Sequence, residues 1–375
     1  MPQMKTHHVA LFVFGTRPEA IKMAPVVRAF RAQPGFITLV CVTGQHRTML
    51  DQVLSFFDLT PDFDLDLMEP NQTLSRLAGN AITKTAAIIE QTKPDIVLVQ
   101  GDTSTAFAAA FAAFQCGVPV AHIEAGLRSG DKLAPFPEEM NRILTGDIAS
   151  LHFAPLESSK ENLIREGISE GIHVVGNTVV DALLSGLELI EQRGEEAMGR
   201  NLPFVLGKKK LVLITIHRRE SFGAPIREVF EALREIASDS EVELVYPVHL
   251  NPNVHAVAHE LLGGFPNIHL IPPLDYPHFI WMMSKSALII TDSGGVQEEA
   301  PSLGIPVLVA REVTERSEGV AAGCCKLVGT DRDLIVSEAR KALASTTKPT
   351  RINPYGDGKA SQRILATTAN FLKSK

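Results

Sequence analysis

Short apolar runs rich in β-branched residues recur along the chain, and stretches with helical spacing of apolar positions separate them. Residues 9–14, 38–42, 96–100, 120–123, 151–153 and 173–175 predict strands in the first half. Residues 211–216, 243–247, 268–271, 288–291 and 307–309 predict strands in the second. A strand that is apolar on both faces is buried on both, as in parallel sheets covered by helices. Alternation with helices implies βαβ units, and so an α/β fold of doubly wound parallel sheets.

The chain has 375 residues, which at roughly 150 per domain suggests two domains. The break is expected at Asn177/Thr178, giving 1–177 plus 358–375 as one domain and 178–357 as the other. A connecting helix is expected over 179–192, followed by a polar, glycine-containing stretch at 193–207. The last segment, 360–373, reads as an amphipathic helix after the turn Asn353-Pro354-Tyr355-Gly356. Ligands of open parallel sheets lie beyond the carboxyl ends of the strands, and tandem α/β domains commonly hold them in the cleft between domains. Polar residues just after strands are therefore the functional candidates.

Composition removes several function classes. Apolar residues make up 45% and charged residues 21%, with a formal charge of −7, as in a folded globular protein. The acid excess argues against nucleic acid or an anionic membrane surface as a partner, but not against a local basic site for a small anion. No run approaches about 18 uninterrupted apolar residues, so no membrane span is expected, and 9–14 is too short for a signal peptide core. Cys41, Cys116, Cys324 and Cys325 are scattered, with no zinc-ligand spacing. Reduced thiols and a cytoplasmic location are expected, with no cofactor or metal.

In the first half, Gly15-Thr16-Arg17-Pro18-Glu19 follows the first strand and opens a helix whose free N–H groups suit an anion, with Arg17 and Lys22 adding charge. The plain alternative is a strand-to-helix turn with a solvated arginine. It is not a GxGxxG fingerprint, so no dinucleotide is indicated. Acids also stand after strands: Asp102, Glu124, and Glu138 in Pro137-Glu138-Glu139. Crowded carboxyls divide acid and base work because their pKa values separate. Against this, Asp102 suits an N-cap of the Ala-rich helix, and Glu138 and Glu139 suit a first helical turn. Glu124 has no such structural duty.

In the second half, Thr291-Asp292-Ser293-Gly294-Gly295 lets backbone N–H groups approach a phosphate, and a carboxylate a turn later can accept ribose hydroxyls. Ser293 as a plain N-cap is the alternative. His217-Arg218-Arg219-Glu220 ends the first strand of the second half, with a histidine suited to acid–base work and arginines suited to phosphate. His249 holds the corresponding place after the following strand, and Arg316 is a further cation. Together these indicate a nucleotide-linked substrate whose other half meets carboxylates.

Several ordered motifs carry a resemblance. Phe14 to Lys22, Thr43-Gly44-Gln45-His46-Arg47, Gly101-Asp102-Thr103, His122 to Arg128, Pro137 to Arg142, Gly176-Asn177-Thr178, His217 to Glu220, Tyr246 to Val254 and Thr291 to Leu303 resemble the bacterial non-hydrolysing UDP-N-acetylglucosamine 2-epimerases. The likeness covers nearly the whole chain. It implies a glycosyltransferase-B-like arrangement of two Rossmann-like domains, the C-terminal helix returning to the first and the active site in the inter-domain cleft. It also implies reversible exchange of UDP-GlcNAc with UDP-ManNAc by elimination and re-addition of UDP, a homodimer, and supply of ManNAc for surface polysaccharide. Asp102, Glu124 and Glu138 match the family's catalytic acids, and His217 its essential histidine. Arg17, Lys22, Ser293, Gly294, Gly295, Glu299 and Arg316 match substrate-binding positions, with Glu299 on the ribose. Gln45, Arg218 and His249 match a second, allosteric UDP-GlcNAc site, although Thr48 departs from the longer polar residue found in allosteric members.

Three other readings compete: a UDP-sugar glycosyltransferase of the same fold, a 2-epimerase for a 2,3-diacetamido uronic acid, and a non-catalytic UDP-sugar sensor. The glycosyltransferase has no need for Asp102, Glu124 and Glu138 together. The sensor would lose at least one of these acids.

Overall fold

In a computed structural model, the buried apolar runs become the strands of two parallel sheets, each carrying its own helices. The structure describes residues 7–44, 47–69, 71–200, 202, 204, 207–219, 222–345 and 353–374. The chain forms two units, Met1–Ser185 with Gly356–Lys375, and Gly186–Tyr355.

The first unit's strands are β1 His8–Phe14, β2 Phe36–Val42, β3 Phe63–Asp64, β4 Ile96–Gln100, β5 Val120–Ile123, β6 Leu151–Ala154 and β7 Ile172–Val174. Their spatial order is β3-β2-β1-β4-β5-β6-β7, and every pairing is parallel. The order reverses between β1 and β4, which opens a crevice at their carboxyl ends. Connecting helices are α1 Arg17–Ala32, α2 Arg47–Phe56, α3 Leu74–Thr92, α4 Ser104–Gln115, α5 Glu138–Ile148, α6 Glu157–Arg165 and α7 Thr178–Arg193. Six buried alanines of α4 (Ala106, Ala108, Ala109, Ala110, Ala112 and Ala113) carry so little bulk that the helix packs against α3, α5, β1 and β4 at once. That close packing fixes the β4–α4 turn.

The second unit follows with α8 Glu196–Gly199, β8 Lys210–Thr215, α9 Ala224–Ile236, β9 Val242–Pro247, α10 Pro252–Leu262, β10 Ile268–Ile271, α11 Tyr276–Lys285 and β11 Leu288–Thr291. It continues with α12 Gly294–Glu299, β12 Val307–Val309, α13 Ser317–Ala321, β13 Cys325–Leu327 and α14 Arg332–Ala344. The sheet order is β10-β9-β8-β11-β12-β13, the doubly wound order, with its reversal between β8 and β11. Its core joins Val212 and Ile214 of β8 to Phe230 and Leu233 of α9 and Ile335 of α14.

The final helix, α15 Ala360–Lys373, belongs to the first unit and packs against α1. Its first amides, Ala360 N and Ser361 N, donate to the Asp181 carboxylate at 3.2 and 2.7 Å. This explains where the chain divides. The expected boundary was Asn177/Thr178, but the division falls inside α7, because Val179, Val180, Ala182 and Leu183 are buried and Asp181 caps α15. The expected strands appear within a residue or two of their bounds, while β3 and β13 were not expected. Both are edge strands of two or three residues, too short for a periodic signal, and Asp64 and Lys326 break their apolar character. Among the described residues no helix is long and apolar enough to cross a membrane. All four cysteines are free thiols.

Replacing Asp181 with alanine removes the acceptor for two amides at the start of α15. We expect a loss of about 1–2 kcal/mol of stability and faster hydrogen exchange at α15 amides than elsewhere. Unchanged α15 protection would show that the helix is held without this carboxylate.

Candidate functional site

Candidate residues of the first unit stand at the carboxyl ends of β1, β4 and β5, beside the strand-order reversal. The turn after β1 requires glycine, since a Cβ on Gly15 would lie 1.9 Å from Thr43 Oγ1. Thr16 caps α1, and Glu19 completes a capping box, accepting from Gly15 N at 3.1 Å and Thr16 N at 2.8 Å. The other Glu19 oxygen accepts from the Thr103 hydroxyl at 2.7 Å, tying this turn to the one after β4. Burial raises the Glu19 carboxyl above the ordinary range, against the pull of Thr103, Thr16 and Gly15. Arg17 is the first residue of α1 and is half-buried.

Lys22, one turn further on, reaches Glu124, with Nζ 2.7 and 2.6 Å from its two carboxylate oxygens. Gln100 Nε2 donates to the same carboxylate. Glu124 directly follows β5 with φ +64°, a left-handed conformation that L side chains rarely adopt and that commonly marks a functional site.

Asp102 is not the N-cap of α4. Thr103 takes that duty, accepting from Ala106 N at 3.0 Å. The Asp102 carboxylate instead pairs with Arg142 Nη2, and its carbonyl accepts from Asn141 Nδ2 at 2.9 Å. Arg142 Nη1 also donates to Glu139 at 3.0 Å. Glu139 is 1% exposed and receives Ser129 N and Gly130 N at 3.0–3.1 Å. The two first-turn glutamates therefore part company: Glu139 holds the loop, whereas Glu138 is half-buried with no ion pair among the described residues.

His122 of β5 is fully buried, and its Nε2 lies 2.7 Å from the Gly101 carbonyl, steadying the turn that presents Asp102. Burial pushes its pKa down to about 4; the Gly101 carbonyl and Asp102 oppose this, while His152 and Arg128 reinforce it. Burial likewise takes His152, its register partner on β6, down to about 4.

In the second unit, candidates follow β8, β9 and β11. Asp292 is 0% exposed, and its Oδ2 accepts from both His217 N and Arg218 N at 2.7 Å. The His249 ring stacks on His217, with centroids 5.6 Å apart and planes 15° apart. Burial lowers the pKa of His217; Asp292 opposes this, and His249 and Arg218 reinforce it. Ser293 precedes α12, but its hydroxyl makes no capping bond, so that duty does not account for it. The Arg316 guanidinium lies against Gly294, where a Cβ would stand 3.1 Å from its Cζ. Gly295 is exposed in the same turn.

Glu315 gathers three arginines: Arg218 at 3.1 Å, Arg316 at 2.8 Å and Arg311 at 2.7 Å. Burial would raise its carboxyl, but its own backbone N–H and these guanidiniums hold it down at about 2. Arg316 Nε also donates to Glu298 at 2.9 Å. Glu299 is buried beside Tyr276, whose phenol burial and this carboxylate push well above its ordinary pKa. Gln45 lies outside the described residues. Among the described residues no group of three or more His, Cys, Asp and Glu side chains could hold a metal.

Glu19, Gln100, Glu139, Arg142, Asp292 and Glu315 were not singled out from the sequence. The Thr16-to-Glu19 spacing carried a capping-box signal, and Glu139 and Arg142 share a helix face at i, i+3. Arg311 and Arg316 lie within four residues of Glu315, whereas its partner Arg218 and the partners of Gln100 and Asp292 come from distant segments and left no local trace.

Known proteins resemble the chain over nearly its whole length. Residues 28–369 match the family model described as UDP-N-acetylglucosamine 2-epimerase. A UDP-N-acetylglucosamine 2-epimerase from Escherichia coli K12 is 49% identical over 368 residues, covering 96% of this chain and 98% of its own. One from Bacillus subtilis is 48% identical over 359 residues, covering 94% and 93%. The crystal structure of UDP-GlcNAc 2-epimerase from Neisseria meningitidis bound to UDP-GlcNAc superposes with a TM-score of 0.85 at 46% identity, covering 96% of this chain and all of that one.

The histidine environments yield a pH prediction. A histidine pKa held near 4 in the folded state, below its ordinary 6.5, contributes stability that is complete above pH 6.5 and lost as pH falls towards 4. We expect the His122 imidazole NMR signals, assigned with His122→Gln, to stay constant from pH 8 to about pH 5. A titration midpoint at 6 or above would contradict the buried, neutral ring.

Proposed function

The chain belongs to the UDP-N-acetylglucosamine 2-epimerase family, and from that premise we propose that it interconverts UDP-GlcNAc and UDP-ManNAc by eliminating UDP and adding it back. The C2 hydrogen of the sugar is not beside a carbonyl, so its direct removal gives no stabilised carbanion. Elimination avoids this: the C2–H pair becomes the C1=C2 bond of 2-acetamidoglucal while the C1–O pair leaves on UDP. On return, the UDP oxygen bonds to C1 and a proton reaches C2 from the opposite face. Inversion therefore needs two acid–base groups in different places.

The observation that carries this reading is Glu124, held in a left-handed conformation at a strand end between Lys22 and Gln100. Asp102 follows the neighbouring strand and is paired with Arg142, and Glu138 opens the helix that carries Arg142. Lys22 and Gln100 on Glu124, Arg142 on Asp102, and no ion pair on Glu138 among the described residues give these carboxyls different surroundings, which suits a division of acid and base duties. The proposal assigns the C2 proton transfers to Asp102, Glu124 and Glu138 and catalysis at the UDP leaving group to His217. It assigns UDP binding to Arg17, Lys22, Ser293, Gly294, Gly295 and Arg316, with Glu299 accepting from the ribose. Guanidiniums suit a diphosphate through paired hydrogen bonds. Allosteric binding at Gln45, Arg218 and His249, a cytoplasmic homodimer, and supply of ManNAc for surface polysaccharide belong to the same proposal.

In D2O the purified protein is expected to convert UDP-GlcNAc to a mixture with UDP-ManNAc carrying deuterium at C2, read by proton NMR. Epimerisation without exchange would exclude elimination, and exchange only with a 2,3-diacetamido uronic acid substrate would move the specificity to that sugar. Asp102→Asn and Glu124→Gln should each lower kcat by about 100-fold or more, with UDP affinity within a few-fold by calorimetry. A variant that kept full rate would remove its residue from the proton transfers.

A further inference from the structure

Asp292 directly follows β11, its carboxylate 0% exposed, beside a histidine whose side chain is 41% exposed. Its Oδ2 is fully used, accepting from His217 N and Arg218 N. Its Oδ1 makes no hydrogen bond among the described residues, and His217 Nδ1 lies 3.3 Å from it. A buried carboxylate oxygen without a donor is costly, and an imidazole N–H closing that gap meets the need. The remaining neighbours of the ring cannot serve in its place. His249 offers a stacked face, and the Arg218 guanidinium is turned to Glu315.

We propose that Asp292 is a positioning residue for the reaction, its Oδ1 accepting Nδ1–H of His217 and so leaving Nε2 as the nitrogen that meets the substrate. This rests on the reading of His217 given under the proposed function. Both the backbone and the ring of His217 are then held by one carboxylate. The pairing fixes the tautomer and favours the imidazolium when Nε2 gains a proton, as a buried aspartate does for a catalytic histidine elsewhere. In the proposed chemistry, an Nε2–H of this kind hydrogen-bonds the UDP oxygen as it takes the electron pair from C1–O. The charges facing the ring are Asp292 from the end of β11, His249 from the end of β9, and Arg218 beside it on the same loop.

The test uses long-range proton–nitrogen NMR on the full-length protein labelled at histidine, together with steady-state kinetics. Wild-type His217 should show the Nδ1–H tautomer. Asp292→Asn keeps an acceptor for the two backbone amides but turns an NH2 group towards the ring. It should switch His217 to the Nε2–H tautomer and lower its titration midpoint. Its kcat should fall by about 100-fold or more, with KM within about threefold. A wild-type Nε2–H tautomer would overturn the proposal, even if the variant failed to fold. So would a variant with the switched tautomer and unchanged kcat. Wild-type turnover, measured first, separates the two readings. Its absence would overturn the functional assignment, whereas a wrong tautomer in an active enzyme would overturn only the role of Asp292.

Discussion

A backbone amide at the end of a buried parallel strand has lost its sheet partner and cannot reach water, so something must accept its hydrogen. Among the described residues, buried carboxylates accept from two consecutive amides after β1 and β8, and in the same way in the loop before α5 and at the start of α15. Glu19 serves Gly15 and Thr16, Glu139 serves Ser129 and Gly130, Asp292 serves His217 and Arg218, and Asp181 serves Ala360 and Ser361. Leaving a pair of amides unsatisfied would cost several kcal/mol, so these turns have little freedom to rearrange. The turns at Gly15, His217 and Ser129 lead to Arg17, the imidazole and Glu138 respectively. Rigid acceptors in the protein interior thus set the positions of the polar groups at its surface.

The same economy explains what could be read from the sequence and what could not. Apolar runs report burial on both faces, and β4, β5, β10, β11 and β12 have the bounds their composition suggested. Capping is more ambiguous. Asp102, Thr103 and Ser104 are all residues that cap helices, and packing chose Thr103, leaving the Asp102 carboxylate for Arg142. Glu138 and Glu139 were equivalent as first-turn acids until the fold buried one of them. The partners of Asp292 and Glu139 come from elements far away along the chain or across a loop. A single sequence carries no periodicity that would join them.

Charge follows the same logic. A net charge of −7 describes the whole chain but neither site, because local pairing decides each potential. Glu315 holds the guanidiniums of Arg218 and Arg316 in place, so the cations near Ser293 and Gly294 arrive preorganised rather than as mobile side chains. Preorganisation reduces the ordering cost that binding would otherwise incur. Lys22 on Glu124 achieves the same in the first unit with a salt bridge that is largely shielded from water.

The return of α15 to the first unit has a consequence for biosynthesis. Because Gly186–Tyr355 is inserted between the two segments of the first unit, everything needed for the second unit has been synthesised before α15 exists. The first unit must therefore wait on the ribosome with the α15-binding flank of α1 uncovered and Asp181 without its amides, although it was begun first. Vectorial synthesis and completion run in opposite orders here: α15, translated after the second unit, closes a unit most of which was translated before it.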